Sequence, residues 1–294
     1  MVNITSQLPA PMNSLDYGTV WASTCLRSLA RLTMRPVQRT RNKVSQEYDG
    51  GHWTKVREDA AWSAEQDLRR YLINDRVNTG TGQLVAQVDG KARRISVLDY
   101  YTYRLGALAE LFGRYFAPES QIVELGCGYG YNLFSLAVNW PKAQFQGFDI
   151  SGNAVQATQR IAQHFGLQDR IQADVLDATD GKHPNFEKIR GRNLFTFFCI
   201  EQIPYDVGKV IENLLAHGPK RVVHAEPGTA LLNWWNLRDW PDYLYLRSVD
   251  YQNDLHAVLK NFERQGRLRI LDARRMPFSP SLQNTGLVTA WEPV

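Results

Sequence analysis

The chain has 294 residues, of which 44% are hydrophobic and 22% charged, enough apolar matter for one large or two modest cores and too much for a disordered polymer. Its three cysteines, Cys25, Cys127 and Cys199, stand far apart with no CxxC, which argues against a disulfide scaffold or a metal cluster and for a reducing compartment, the cytoplasm. A net charge of +4 is too mild to imply nucleic acid. No apolar run approaches the ~20 residues that cross a bilayer, and the opening residues lack the layout of a secretory signal.

In chain order, the basic excess comes first. Six basic residues and no acidic one lie between Arg27 and Lys43, read as an arm or helix over residues 1–45 folded onto the body, with an organellar transit peptide as the alternative. Residues 46–117 are expected to form a helical cap or lid. Ala61, Trp62, Leu68, Leu72 and Ile73 recur at helical spacing, as do Leu98, Tyr101, Leu105, Leu108, Leu111, Phe112 and Phe116, and a glycine-punctuated stretch between them suggests a short hairpin.

From Pro118 onward, β-rich runs at 121–125, 143–150, 170–175, 193–200 and 220–226 alternate with helical stretches at 129–139, 152–165 and 205–217, and Gly166 and Gly218 stand where helices stop. Apolar strands joined by helices predict a parallel sheet covered on both faces. A long helical region to Gln265 follows, then strands at 268–276 and 285–291 whose short connection requires an antiparallel hairpin.

The chemistry concentrates where the strands end. Residues 122–130 read Ile-Val-Glu-Leu-Gly-Cys-Gly-Tyr-Gly, a strand running into a glycine-rich bend that lets backbone approach a ligand. Twenty-five residues after Glu124 the second strand ends in Asp149, a carboxylate able to accept from both hydroxyls of a ribose. The third ends in Asp174-Val175, an acid beside an apolar residue, suited to an adenine. The bend is GxGxG rather than GxGxxG, and Glu124 would repel a pyrophosphate at a cost of about 1 to 4 kcal/mol while favouring an ammonium or sulfonium. Together these residues favour a cationic amino-acid nucleoside over a dinucleotide. A nicotinamide-linked oxidoreductase is the competing reading.

These motifs resemble the class I S-adenosylmethionine-dependent methyltransferases over roughly Phe112 to Trp291. The resemblance implies an α/β fold, a seven-stranded, mostly parallel sheet flanked by helices and ending in the antiparallel hairpin, over residues 118–294. It implies S-adenosylmethionine as cofactor and S-adenosylhomocysteine as product. Gly126, Cys127, Gly128 and Gly130 would line the methionine moiety and Glu124 its amino group. Asp149 would hold the ribose, Ile150 would lie beneath the adenine with Asp174 and Val175 reading it, and Ile200 would close the fourth strand beside the cofactor. Independently of the resemblance, Tyr103, with Tyr100, Tyr101 and Arg104 just before the sheet, is within reach of the methionine carboxylate, with helix packing and surface solvation as the alternative reading. No metal is implied.

On the substrate side, the sequence Glu201-Gln202-Ile203-Pro204-Tyr205 keeps only the last proline and aromatic of the loop with which nucleic-acid amine methyltransferases hold an amine. The expected acceptor is therefore a small organic, aromatic or natural-product-like molecule, with O-methylation first and N- or C-methylation next. Glu201, His224 and Glu226 are the candidate bases; for Glu201 the alternative is a cofactor-side or structural contact, for His224 a satisfied core histidine, and for Glu226 a capping partner. The aromatic segment Asn233 to Tyr245 is read either as packing or as an apolar pocket wall. Other readings kept open are a catalytically inactive cofactor-binding assembly partner, a macromolecular substrate and a homodimer; no membrane association is expected.

Overall fold

The structure, a computed structural model, describes residues 8–34, 63–77, 82–203, 206–249 and 255–294. Arg35, Arg39, Arg41 and Lys43 of the basic segment, Ala61, Trp62, Pro204 and Tyr205 lie outside the described residues. Helix α1 spans Ser14–Met34, α2 Leu68–Val77 and α3 Val97–Gly113, with the hairpin strands β1 Gln83–Val88 and β2 Lys91–Ser96 just before α3. The alternating half follows as β3 Gln121–Leu125, α4 Tyr131–Asn139, β4 Gln144–Asp149, α5 Gly152–His164, β5 Ile171–Val175, β6 Asn193–Phe197, α6 Val207–His217 and β7 Arg221–Glu226. The tail contains α7 Trp240–Val249, α8 Leu255–Arg264, β8 Leu268–Arg275, β9 Phe278–Ser279 and β10 Leu287–Pro293.

Seven strands form one sheet in the order β5-β4-β3-β6-β7-β10-β8. The first five pair in parallel, and β10 runs antiparallel to both β7 and β8. The central strands β3, β6 and β7 are buried on both faces, as their mainly apolar sequences require, while the edge strands β5 and β8 keep exposed positions. On one face Ile122, Phe145 and Phe195 pack with Phe112 of α3, Phe134 of α4 and Ile161 of α5. On the other, Val123, Leu194 and Val222 meet Ile211 and Leu214 of α6 and Leu259 and Phe262 of α8. Strand alternation sends Glu124 to the same side as Ile122, toward α3 and α4.

Two expectations change. The strand written as 193–200 stops at Phe197, because Phe198 adopts φ +53 and turns the chain out of the sheet; Cys199 and Ile200 therefore belong to a bend and a short 3-10 turn. The hairpin of the tail also carries an unforeseen detour. Between β8 and β10, Phe278–Ser279 leaves the main sheet and pairs with β1, making a second, three-stranded antiparallel sheet with β2. This detour ties the region preceding the main sheet to its far edge. Among the described residues, no helix is long and apolar enough to cross a membrane.

Candidate active site

The glycine bend has steric causes that can be stated atom by atom. Gly126 sits at φ +76, and a Cβ there would fall 2.1 Å from the Cys199 sulfur. Gly130, at φ +82, opens α4 with no side-chain cap, and a Cβ there would meet Thr158 and Phe134 at 2.8 and 2.9 Å. Such positions admit glycine alone at low cost. Asp149 fixes the bend from the next strand, one oxygen accepting from the Gly128 N–H at 2.9 Å and the other from the Ser151 N–H at 2.9 Å. Cys127 is buried, and its thiol is pushed well above the ordinary range by desolvation, so it packs rather than reacts.

Glu124 is fully buried. One of its oxygens accepts from the Asn132 side-chain amide at 2.7 Å, while Oε2 has no hydrogen-bond partner. Burial pushes its pKa well upward. Asn132 in turn accepts from Arg104 at 2.9 Å, and Nη1 of that guanidinium is likewise buried without a partner. The guanidinium lies 5.0 Å from the ring centres of both Tyr131 and Phe197, which hold it flat. A buried relay thus ends in one unanswered acceptor and one unanswered cationic donor, the complement of an amino acid's ammonium and carboxylate. At the neighbouring strand ends, Ile150 and Val175 remain 51% and 41% exposed, two apolar side chains where a flat base would cover them. The site fits S-adenosylmethionine.

Other expected cofactor residues sit differently. Asp174 accepts from the Lys188 ammonium at 2.6 Å and from Gln146 at 3.0 Å, so an adenine amine would share it with a cation. The Ile200 side chain is buried in the core on the α6 face, because the turn after Phe198 points it inward. Tyr103 is buried edge-on to Phe278, 6.4 Å between ring centres; one residue on, Arg104 is the residue of α3 joined to Asn132. Asn132 itself was missed. Its signal was a carboxamide on the first turn of the helix that follows the glycine bend.

A cleft of about 410 Å³ opens beyond β6, lined by Tyr100, Tyr101 and Arg104 of α3, Phe197, Phe198, Tyr245 and the loop from Met276 to Asn284. None of the candidate bases lines it. His224 is fully buried, its Nδ1 3.0 Å from the Thr196 hydroxyl and its ring stacked on Trp291; desolvation depresses its pKa to about 3, so it is neutral. Glu226 is saturated from within. It accepts the Cys199 N–H at 3.1 and 2.9 Å and the Glu201 N–H at 3.4 Å, with desolvation lifting its pKa to about 7 against these bonds and one from Thr196. Glu226 therefore holds the bend after β6 in place. Glu201, in the 3-10 turn, is buried and accepts from Gln202 at 2.8 Å.

The aromatic segment divides. Trp234 stacks on Trp240 and meets Tyr243 edge-on, Trp240 lies 6.3 Å from Trp21 of α1, and the Trp21 indole N–H donates to the Leu237 carbonyl at 2.6 Å; these rings seat α1 against α7. Tyr245 lines the cleft on one side and lies 5.8 Å from the Arg31 guanidinium.

Residues 117–216 match the family described as Methyltransferase domain. A 69-residue stretch is 42% identical to an uncharacterized protein of Rickettsia prowazekii (strain Madrid E); it is 22% of this chain, and the chain spans about 12% of that relative's length. Among solved structures, a geranyl diphosphate methyltransferase in complex with geranyl diphosphate and sinefungin superposes with TM-score 0.50 at 13% identity, over 81% of this chain and 98% of that one. The geranyl diphosphate C-methyltransferase from Streptomyces coelicolor A3(2), with S-adenosyl-L-homocysteine, does so with TM-score 0.50 at 12% identity, over 81% and 98%. At such identities these structures speak for the fold. Strand order, glycine bend and the match of residues 117–216 thus agree on the fold of a methyltransferase domain.

Proposed function

We propose that the protein transfers a methyl group from S-adenosylmethionine to a small organic acceptor with an aromatic or otherwise apolar body, seated in the cleft beyond β6. The observation that carries this reading is that one residue, Arg104, belongs both to the buried relay ending at Glu124 and to the wall of an aromatic-lined cleft. Glu124 Oε2 would accept from the methionine ammonium, Arg104 Nη1 would donate to its carboxylate, and Asp149 would accept from the ribose hydroxyls. Ile150 and Val175 would cover the adenine. The bound cofactor supplies an electrophilic methyl on a sulfonium. The protein's own work is then alignment and exclusion of water.

Proton removal plays a small part in this proposal. Among the described residues lining the cleft there is no carboxylate and no imidazole, so an acceptor that arrives already nucleophilic suits it best: an ionised oxygen first, an amine or an electron-rich carbon next. The region before the main sheet would act as a lid, held by the pairing of β1 with Phe278–Ser279. A cytoplasmic location belongs to the same proposal, supported by three unbridged cysteines. A panel of small acceptors with methyl-labelled donor tests the reading: label transferred to phenolic, carboxylic or amine acceptors supports it, and label transferred only to RNA, DNA or protein overturns it.

A further inference from the structure

Besides the Arg104 Nη1 described above, two polar atoms belonging to residues that line the cleft are buried and unanswered. Tyr100 of α3 is 0% exposed, and its hydroxyl makes no hydrogen bond; Asn284 carries an Oδ1 in the same condition. Both bear an uncompensated desolvation penalty, which native interiors rarely tolerate without a use. The Tyr100 ring is otherwise an ordinary core side chain, buried with Ala86 and Ile95 and edge-on to Tyr101 at 5.2 Å, a place a phenylalanine would fill equally well.

Asn284 is set in position by its neighbours. It stands at φ +59, a conformation asparagine tolerates better than most residues. Thr285 beside it gives its N–H and its hydroxyl to the two oxygens of buried Asp242 at 2.7 and 2.6 Å. The Met276 N–H closes the loop on the Gly286 carbonyl at 3.1 Å, and Phe278–Ser279 is paired to β1. Other polar groups of the loop have local partners: the Ser281 hydroxyl donates to the Gln283 carbonyl, and the Ser279 hydroxyl accepts from the Ser281 N–H.

We propose that Tyr100 and Asn284 form a donor and acceptor pair that reads a hydroxyl on the acceptor, away from the methylated atom, and rejects analogues that lack it. This rests on the reading of the cleft as the acceptor site. A hydroxyl is the single-atom group that accepts from a phenol O–H and donates to an amide carbonyl; a carboxylate has no proton to give, and an ammonium has no acceptor and would lie in a cleft already holding Arg104. With Tyr101, Phe197, Phe198 and Tyr245 as the remaining wall, the substrate class is a hydroxylated, mainly apolar ring or chain.

The test uses 2-naphthol and naphthalene as a matched pair in equilibrium dialysis, with and without saturating S-adenosylhomocysteine. The expected result is a preference for 2-naphthol of about tenfold or more in the unaltered protein, from one well-formed hydrogen-bond pair. That preference falls to about twofold or less in Tyr100→Phe and in Asn284→Gly, which keeps the left-handed backbone, while naphthalene affinity stays unchanged. In ligand-free melts Tyr100→Phe retains or gains thermal stability. Equal binding of the two probes, binding of neither, a preference that survives both substitutions, or a marked drop in melting temperature for Tyr100→Phe would each overturn the proposal. Binding of S-adenosylhomocysteine, read on the same samples, separates the two levels: its absence removes the proposed methyl transfer, whereas its presence without a 2-naphthol preference removes only the Tyr100 and Asn284 pair.

Discussion

Two buried glutamates at the carboxyl ends of β3 and β7 look alike in sequence and differ in what surrounds them. Glu124 meets one carboxamide and keeps an oxygen unanswered; Glu226 is enclosed by backbone N–H groups and a threonine hydroxyl. Burial raises the pKa of both, so neither burial nor pKa separates a ligand-facing carboxylate from a structural one. The count of partners does. In this pair, the glutamate whose acceptor positions are filled by the chain organises the chain, and the one left short of donors is the one we propose receives the cofactor's ammonium.

The largest effect that would sharpen this contrast is at the bend between the two. Gly126→Ala must place a methyl on the Cys199 sulfur at a positive φ, and a loss of about 3 kcal/mol or more in unfolding free energy is expected. Gly152→Ala, at the start of α5 with no atom within 4 Å of the new methyl, should be neutral or slightly stabilising; denaturant unfolding of both checks it.

Next come the glutamates themselves. Glu226→Gln keeps one acceptor oxygen and puts an amide against N–H donors, so a destabilisation of about 2 kcal/mol is expected with donor affinity per folded molecule nearly unchanged. Glu124→Gln should do the opposite: calorimetry would show S-adenosylhomocysteine binding weakened by about 1.5 to 3 kcal/mol, with the melting temperature unchanged or raised, since a charge-prone buried group is removed. A Glu124→Gln protein that binds as well as the parent would break the comparison.

A comparable loss is expected for Asp149→Ala, about 1 to 3 kcal/mol in donor binding, accompanied by loosening of the bend it anchors through Gly128.

Two groups of β7 set opposite pH dependences. The folded pKa of Glu226, raised from 4.5 to about 7, favours its protonated form, so its contribution is full below pH 4.5 and lost as pH rises through 7. The folded pKa of His224, lowered from 6.5 to about 3, gives a contribution present above pH 6.5 and lost as pH falls through 3. Melting temperature should therefore decline on both sides of a mildly acidic optimum, with the alkaline limb flattened in Glu226→Gln and the acidic limb flattened in His224→Asn. The smallest effect is at Asp174→Asn, which removes a partly exposed pairing with Lys188 and should change donor binding by less than about 1 kcal/mol.

Much of this was legible in one dimension. The apolar runs at 121–125 and 220–226 appear as β3 and β7, with β7 starting at Arg221, and the tail forms its antiparallel pair, because strand periodicity is local and the sheet needs both faces covered. The glycine bend and Asp149 were legible for the same reason: residues adjacent in sequence turn at a strand end, where the fold gathers ligands. By contrast, nothing in the apolar run at 193–200 marks the turn at Phe198, whose positive φ follows from the bend that Glu226 holds from another strand.

The sequence by itself thus determined the alternation of strands and helices, the glycine bend and the acids that end β3 and β4, since each depends on spacing along a few neighbouring residues. Only the tertiary structure decided which acids keep an unanswered oxygen, that His224 is sealed between Thr196 and Trp291, and that Tyr100 and Asn284, 184 residues apart in the chain, line one cleft. The physical reason is that hydrogen-bond satisfaction is a property of the neighbours a side chain meets in space, and those are chosen by the packing of the whole sheet rather than by the chain beside it.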